Sequence, residues 1–487
     1  MTYSLSRRGF MATSAALAAT SALPQAGIAE VPKLSLDITK RTLDIDGRAA
    51  TVFGLMNNTG KSGLILEPDQ KFRVKLTNNL DTKTIIHWHG QIPPNVQDGA
   101  PNNPLPYMYQ GEVRDFDFTP LAGTHWMHSH VPTQEMQLLA APLIVRTAAD
   151  VAADQQEVVM FLHDFSFLSP EEVLAEIAAG GDHDAEGSSE MASDTGTNMS
   201  GMTGMSNMEN DTPAMAMDLN DFNFDAYLSN DRTLADPEVI RVENGGRVRL
   251  RIINASSATS FWIDTGKVDA SLVAVDGHDI EPISGRRFGL AMAQRLDLFI
   301  DLPKGEGTYP ILALREGERE RTGLILATKN AHVQKISAQS EMETPAFDLD
   351  FKQEFSLRAK NPLAERPVDT AQMISLDGSM QPYVWTMNGR TWAERIPATA
   401  QSGQRAEITF MNKSMMGHPM HLHGHAFQVV GLGDQRFAGA RRDTVYVPPM
   451  AKVTVAIDAG EAARWLLHCH HMPHLASGMM SEFVVSA

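Results

Sequence analysis

Three segments of the chain share one pattern of polar and apolar positions. They are 69–78 (DQKFRVKLTN), 245–254 (GGRVRLRIIN) and 403–412 (GQRAEITFMN). In each segment a polar turn is followed by alternating apolar and charged residues and then by an asparagine, which is typical of a half-buried strand. Asn230 and Asn388 each precede the glycine that opens the second or third segment by fifteen residues. The pattern predicts three copies of one β unit.

Helical periodicity is almost absent, and only 170–179 has the composition of a helix. Short alternating strands separated by turn residues predict an all-β protein, and the repeats predict three sandwich-like barrels. We place the three domains at 30–147, 155–335 and 345–487. A chain of 487 residues is long enough for several packed cores.

The segment 180–217 belongs to none of these barrels. It has no Ile, Leu, Val, Phe, Tyr or Trp, but it contains seven methionines, four of them at every third position from Met199 to Met208. Such a stretch cannot bury a core, so we predict a disordered insertion in the middle domain. Thioether sulfur is a soft ligand that favours Cu(I), so transient cuprous binding is one interpretation and a low-complexity loop is the other.

The first 29 residues have the composition of an export signal. Arg7 and Arg8 precede a mildly apolar run of Ala, Leu and Thr, and no acidic residue occurs before Glu30. The stretch SRRGF resembles a twin-arginine signal, whose pathway exports folded proteins. No later run is long and apolar enough to span a bilayer. We therefore predict a periplasmic protein without a membrane span.

Charge and cysteine content narrow the function further. A formal net charge of −18 repels polyanions, so nucleic acid is not an expected partner. The chain has one cysteine, so an internal disulfide cannot stabilise it after export. Cys469 is therefore either a small buried residue or a chemically active one.

The histidines occur in four His-x-His pairs. Residues two apart on a strand project to the same face, so each pair can offer two imidazoles to one centre. A single pair would mean little, because half a zinc site looks the same. The pairs, however, lie only in the first and third repeats, which predicts a shared centre where those repeats meet. Eight imidazoles are too many for one tetrahedral ion, and nitrogen ligands favour copper over Mg²⁺ or Ca²⁺. The pairs are His87/His89, His128/His130, His421/His423 and His468/His470.

Strand alternation separates Cys469 from the two histidines that flank it. If those histidines face the shared centre, Cys469 faces the other way. There it can meet His474 and Met479, which follow it by five and ten residues, and His418 from the HPMHLHGH segment. Two His, one Cys and a weak Met are the ligands of a blue copper site. We predict that one short strand serves two copper sites and carries electrons between them.

With all four motifs in this order, nearly the whole chain after the export signal resembles the three-domain multicopper oxidases, the family of laccases and bacterial cuprous oxidases. The resemblance implies three cupredoxin-like Greek-key barrels and four copper ions: one type 1, one type 2 and a type 3 pair. It implies type 1 ligands His418, Cys469, His474 and the axial Met479, type 2 ligands His87 and His421, and type 3 ligands His89, His128, His130, His423, His468 and His470.

The resemblance also implies a reaction. Substrate would be oxidised one electron at a time at the type 1 site, and O₂ would be reduced to water at the trinuclear cluster. The expected donors are Cu(I) and small phenols or aromatic amines, with Mn(II) as a further one. The methionine-rich segment and the export signal favour Cu(I) and a role in copper tolerance. The alternatives are a copper-sequestering protein without turnover and a scaffold that has lost its metals. A monomer is expected.

Asp98 follows His87 by eleven residues and matches the acidic residue that family members place beside the cluster. We interpret it as a proton relay or an orienting residue; the alternative is an ordinary Asp-Gly turn. Some bacterial relatives have glutamate directly after the second type 1 histidine, whereas Leu475 follows His474 here. The resemblance therefore implies no proton route through that position.

Overall fold

The computed structural model describes residues 34–180, 219–347 and 349–487. In these residues the chain forms six sheets, which group along the sequence into three pairs. The predicted export signal and all of the predicted insertion after Gly180 lie outside the described residues. No helix in the described ranges is long and apolar enough to cross a membrane. The architecture is all-β, as predicted.

The first pair consists of two four-stranded sheets that enclose an apolar core. On its central strand Phe72, Val74 and Leu76 are buried while Lys75 is exposed, so the predicted alternation is present. The strands are β1 Leu34–Ile45, β2 Arg48–Asn57, β3 Leu64–Leu66, β4 Phe72–Asn78, β5 Ile86–His89, β6 Val113–Phe118, β7 Gly123–Ser129 and β8 Ala140–Val145. The sheet orders are β2-β1-β4-β6 and β3-β8-β7-β5.

The second pair has a six-stranded and a five-stranded sheet. Its strands are β9 Gln156–Phe165, β10 Ala226–Ser229, β11 Val239–Arg241, β12 Arg247–Asn254, β13 Phe261–Asp264, β14 Ala270–Val275, β15 His278–Gly285, β16 Arg287–Leu290, β17 Arg295–Asp301, β18 Thr308–Arg315 and β19 Arg321–Ala327. The predicted half-buried pattern of β12 is wrong, because seven of its eight residues are buried. Arg249 and Arg251 are covered where this pair meets the first, and both donate to Asp297.

The third pair has a seven-stranded and a five-stranded sheet. Its strands are β20 Thr370–Met380, β21 Tyr383–Met387, β22 Ala398–Gln401, β23 Arg405–Asn412, β24 His418–Leu422, β25 Phe427–Leu432, β26 Gln435–Arg436, β27 Arg441–Arg442, β28 Thr444–Val447, β29 Lys452–Asp458, β30 Arg464–Cys469 and β31 Met480–Ser486. The five-stranded sheet has the order β22-β31-β30-β24-β28, so β24 and β30 are neighbours.

Helices are short and lie between strands. They are α1 Pro132–Glu135, α2 Ala148–Ala152, α3 Pro170–Ala179, α4 Lys352–Ser356 and α5 Met472–Ser477, with 3-10 turns at Asn95–Gln97 and Trp392–Glu394. The predicted helix is α3, which begins with a capping box between Ser169 and Glu172 and ends at Gly180 in a left-handed conformation. α1 follows β7 and α5 follows β30, and these two helices pack against each other. The first and third pairs of sheets therefore meet beside the histidine motifs.

Candidate metal centres

Two pairs of neighbouring strands carry the predicted histidines. β5 and β7 are antiparallel, with His87 opposite His128. β24 and β30 repeat this arrangement in the third pair of sheets, with His421 opposite His468. All eight imidazoles are buried. The strands thus bring the four His-x-His motifs to one place between the first and third pairs of sheets.

Three of these imidazoles point one nitrogen at a common point. Nε2 of His423 lies 3.2 Å from Nε2 of His130 and 3.1 Å from Nε2 of His468. The third side of the triangle, between His130 and His468, is 3.4 Å. Two nitrogens this close repel unless a proton or a cation lies between them, so the triangle is suited to hold one metal ion.

A second triad consists of His89, His128 and His470. Their ring centroids are 5.5 Å apart for His89 and His128, 5.1 Å for His89 and His470, and 4.9 Å for His128 and His470. Nδ1 of His89 and Nε2 of the other two are buried and have no hydrogen-bond partner in the described part of the chain. Buried polar atoms rarely stay unpartnered in folded proteins. These three nitrogens therefore fit a metal ion.

His87 and His421 form a third group. Their Nε2 atoms are 3.4 Å apart. Nδ1 of His87 donates to the carbonyl oxygen of Asp98 and Nδ1 of His421 to that of Asp443, each at 2.9 Å. Because the outer nitrogens are occupied by backbone acceptors, the inner ones keep their lone pairs for a ligand.

Carboxylates orient two further imidazoles. Nδ1 of His423 donates to Oδ2 of Asp98 at 2.7 Å, which leaves Nε2 for the first triad. His89 is reversed: its Nε2 donates to Oδ1 of Asp443 at 3.0 Å and lies 3.1 Å from Oγ1 of Thr444. The opposite nitrogen, Nδ1, therefore faces the cluster.

Burial also fixes the protonation of the cluster. The pKa of most of these histidines lies well below the usual value. Burial is the largest cause and neighbouring imidazoles are the next, so these histidines are neutral and have a free lone pair. Burial raises the pKa of Asp98 to about 8. All the inward atoms are imidazole nitrogens, and such donor sets suit copper better than oxygen-loving cations. The histidines with strongly lowered pKa values are His87, His89, His130, His421, His423 and His470.

The cysteine lies in a separate site on the other face of β30. Sγ of Cys469 is 3.8 Å from Nδ1 of His418 and 3.8 Å from Nδ1 of His474, and these two nitrogens are 3.1 Å apart. Nε2 of His418 lies 2.9 Å from Oγ of Ser414, which leaves Nδ1 directed inward. Met479 is fully buried in the same apolar cluster as Cys469. The backbone N–H of Cys469 donates to the Met479 carbonyl oxygen at 3.1 Å.

Comparison with known proteins identifies the family. Family models described as multicopper oxidase match 37–150, 184–334 and 365–487. Together these stretches cover most of the chain. The chain belongs to the multicopper oxidase family. It is therefore an oxidoreductase with copper cofactors, built from three cupredoxin-like β domains.

Relatives of this multicopper oxidase include proteins linked by name to copper resistance. The multicopper oxidase MmcO of Mycobacterium tuberculosis is 28% identical over 84% of this chain and 78% of its own length. Copper resistance protein A of Escherichia coli is 23% identical over 94% of this chain and 93% of its own length. The solved structure of Fet3p, a multicopper oxidase that functions in iron import, has a TM-score of 0.72 at 16% identity, over 93% of this chain and 90% of that chain.

The first β unit of this multicopper oxidase contains a counterpart of the cysteine site without its ligands. Ser129, Gln134 and Leu139 have the spacing of Cys469, His474 and Met479. The backbone agrees, since Ser129 N–H donates to the Leu139 carbonyl oxygen at 2.9 Å. Ser129 Oγ donates to Oε1 of Gln134 at 2.8 Å. A hydrogen bond therefore occupies the place where the third unit has sulfur and imidazole.

Several residues beside the candidate ligands of this multicopper oxidase are not predicted from the sequence. Glu135 lies 2.6 Å from Nδ1 of His128. Asp443 accepts from His89, as described, and also from Arg295 of the second pair of sheets. The repeat spacing could have indicated Glu135, which occupies the position of Leu475 in the third unit. No local signal identifies Asp443 or Arg295, since their partners are remote in sequence.

Asp221 is a further residue that the sequence did not indicate. Its Oδ2 lies 3.4 Å from Nε2 of His474, on the outer side of that ring. The hydroxyl of Tyr383 donates to the same oxygen. His471 stacks on His474 with ring centroids 3.9 Å apart. An acidic side chain is thus in contact with a residue of the cysteine site.

Proposed function

We propose that this protein is a four-copper oxidase that takes electrons from a reduced donor beside Cys469 and delivers them to O₂ at the imidazole cluster. His418, Cys469, His474 and Met479 would hold the type 1 ion, and His87 and His421 the type 2 ion. The type 3 pair would be held by the triads His130, His423, His468 and His89, His128, His470. Bound copper supplies one-electron redox chemistry at the first site and the four-electron reduction of O₂ to water at the second.

The alternation of side chains at the end of β30 is the observation that supports this proposal most directly. Cys469 points to His418 and His474, while the adjacent His468 points to His130 and His423. An electron that reaches the thiolate therefore needs to cross only the bonds of neighbouring residues to enter the cluster. A sequestering protein would have no need for two dissimilar sites joined in this way.

The imidazole cluster has groups suited to handle protons. Asp98 is fully buried, and its Oδ2 accepts from Nδ1 of His423, 2.7 Å away. Burial raises its pKa to about 8, so its carboxyl can hold a proton at neutral pH. We assign Asp98 as both the orienting residue of His423 and the proton relay to the cluster.

Cu(I) is the donor that the residues around the cysteine site favour, and the role that follows is copper tolerance. Asp221 places a carboxylate beside His474, and a carboxylate attracts a cationic donor more than an uncharged phenol. Asp221 also follows the methionine-rich segment closely in sequence, with Met217 only four residues before it. The names of the relatives point the same way.

Oxygen consumption tests the proposal. The copper-loaded protein is supplied in turn with Cu(I), a phenol and Mn(II) at equal concentrations, and we expect uptake with the first two and the highest rate with Cu(I). Uptake with none of the three would contradict the oxidase function and favour sequestration. A Mn(II) rate above the other two would contradict the assignment of Cu(I).

Removal of 180–217 tests the cuprous role of the methionine-rich segment. We expect Cu(I) turnover to fall while phenol turnover is unchanged. The matched control retains the segment but replaces its seven methionines with leucine, and it should lose Cu(I) turnover equally if thioether sulfur is what matters. Unchanged Cu(I) turnover in both variants would contradict the role.

We further propose export to the periplasm through the twin-arginine pathway, and a monomeric enzyme. The basis for export is the SRRGF stretch and the acid-free segment before Glu30. Fractionation of cells that produce the chain with Arg7 and Arg8 either intact or replaced by lysine tests export, and light scattering of the purified protein tests the monomer.

A further inference from the structure

The repeat relationship between the first and third β units extends one residue beyond the counterpart of the cysteine site. Gln134 corresponds to His474, so Glu135 corresponds to Leu475. Glu135 ends α1 and Leu475 lies in α5, and these helices pack against each other. The two equivalent positions therefore lie on helices that are in contact.

Glu135 and Leu475 line the same cavity. Its volume is about 10 Å³, enough for one water molecule. His128 and His468 form another part of the wall. A carboxylate at either of the two equivalent positions would face this space. In this chain the residue at position 135 is acidic, whereas the residue at position 475 is apolar.

The Glu135 side chain lies between two histidines from different units. Its Oε2 is 2.6 Å from Nδ1 of His128, and its Oε1 is 3.7 Å from Nδ1 of His470. Glu135 is only 1% exposed. Neither carboxylate oxygen has a hydrogen-bond partner of good geometry in the described ranges, and Nδ1 of His128 also lies 3.1 Å from the carbonyl oxygen of Ser129. Burial of a carboxylate without such partners is unfavourable, so a specific role has to compensate for it.

The two contacts explain what that role is. A carboxylate that accepts from the outer nitrogen of an imidazole fixes the ring's orientation and directs the other nitrogen at the metal. His89 of the same triad already has such an acceptor in Asp443, 3.0 Å away. His470 has no hydrogen-bond partner at either ring nitrogen. Glu135 is thus the carboxylate beside two of the three imidazoles: it lies closer to Nδ1 of His128 than the Ser129 carbonyl oxygen does, and it faces Nδ1 of His470.

We propose that Glu135 is the positioning residue of the triad of His89, His128 and His470, and that it orients one ligand from each of the two outer β units. The inference rests on the proposed function, since that function assigns copper to the triad. It places the buried carboxylate on the first unit, at the repeat equivalent of Leu475 on the third.

Substitution of Glu135 tests the inference through copper content. Leucine is the informative replacement, because the equivalent backbone position already carries leucine at 475. For Glu135→Leu we expect the loss of about one copper per chain, with undiminished blue absorption from the Cys469 site. Glu135→Gln retains an acceptor oxygen and should hold the full copper content. Glu171→Leu makes the same chemical change on the exposed face of α3 and should match the unaltered protein.

Three results would overturn the inference. Glu135→Leu could hold as much copper as the unaltered protein. It could lose the blue absorption together with the other copper, which would indicate general damage. The glutamine variant could lose copper to the same extent as the leucine variant, which would exclude hydrogen-bond acceptance as the reason. Oxygen uptake by the unaltered protein is measured in parallel, so a failure of the proposed function is seen separately from the copper counts.

Discussion

Arg295 of the second pair of sheets donates from Nη1 to Oδ1 of Asp443 in the third pair, 2.7 Å away, and Nη2 contacts the other carboxylate oxygen. Asp443 accepts at the same time from Nε2 of His89 in the first pair. A chain of two contacts thus joins all three units at one candidate copper ligand. The middle unit, which contributes none of the candidate ligands, orients one of them through this arginine.

The Arg295 contact also explains the glycine of the HWHG motif. Gly90 directly follows His89 and has a φ of +84°. A Cβ there would collide with Nη2 of Arg295. Glycine is required both by the left-handed backbone and by the close approach of the guanidinium.

Replacement of Arg295 by methionine should affect both stability and copper content. It leaves the carboxylate of Asp443 buried without its cation, which costs about 3 to 5 kcal/mol, and it frees Asp443 to turn away from His89. We expect a lower urea midpoint in the copper-free protein and less copper per chain.

Arg442→Met is the matched control for the Arg295 substitution. Arg442 is equally buried and donates to Asp276 and Glu354. The carboxylates that pair with cluster imidazoles in the described part of the chain are instead those of Asp98, Glu135 and Asp443. This variant should lose stability and retain its copper. Full copper content in Arg295→Met would contradict the positioning role of Arg295.

Asp98→Asn separates orientation from proton transfer. The amide oxygen can still accept from Nδ1 of His423, but the side chain can no longer release a proton. We expect copper content and blue absorption to be retained and oxygen uptake to fall roughly 10- to 100-fold. Anaerobic bleaching of the blue absorption by substrate should proceed at the normal rate, because that step precedes the cluster. An unchanged rate of oxygen uptake would exclude Asp98 as the proton relay.

Cys469→Ser should remove the blue absorption and abolish oxidation of all donors. A hydroxyl is a hard and weakly acidic ligand and does not replace a thiolate for copper at this site. The imidazole cluster lies on the other face of β30, so we expect only one copper per chain to be lost. The variant should keep its circular dichroism spectrum. Residual oxidase activity at the normal rate would contradict the electron path through Cys469.

Glu316 predicts a pH dependence of stability that is independent of copper. It is buried in the second pair of sheets, where Oε1 accepts from the Phe347 N–H at 2.5 Å. Burial raises its pKa from 4.5 to about 7. Because this pKa is raised on folding, the contribution of Glu316 to the free energy of unfolding is complete below pH 4.5 and is lost as the pH rises through 7.

Glu316→Gln cannot ionise and should not show this loss. Between about pH 5 and pH 8 the unaltered protein should lose roughly 2 to 3 kcal/mol of unfolding free energy more than the variant does. Urea unfolding of the two copper-free proteins at both pH values gives the comparison. Parallel pH dependence of the two proteins would show that Glu316 titrates normally.

The class of the fold and the candidate ligands could be read from the sequence because their signals are local. Alternation along β4 and β23, and the pairing of histidines two residues apart, depend only on the pleat of a strand. The same local rule predicted that Cys469 would face away from its neighbouring histidines, and the structure has Sγ near His418 and His474. Alternation failed on β12, because contact with another unit buried its polar face as well.

Tertiary structure alone decided how the ligands are held. His89 faces the cluster through Nδ1 and His87 through Nε2, although both belong to one motif, because Asp443 reaches the first ring and the Asp98 carbonyl the second. Glu135 meets His470, Arg295 meets Asp443 and Asp221 meets His474 only once different units have packed together. A sequence pattern predicts on which face of its own strand a side chain lies. The residues that contact these side chains from other units are hundreds of positions away in the sequence, and only tertiary packing brings them together.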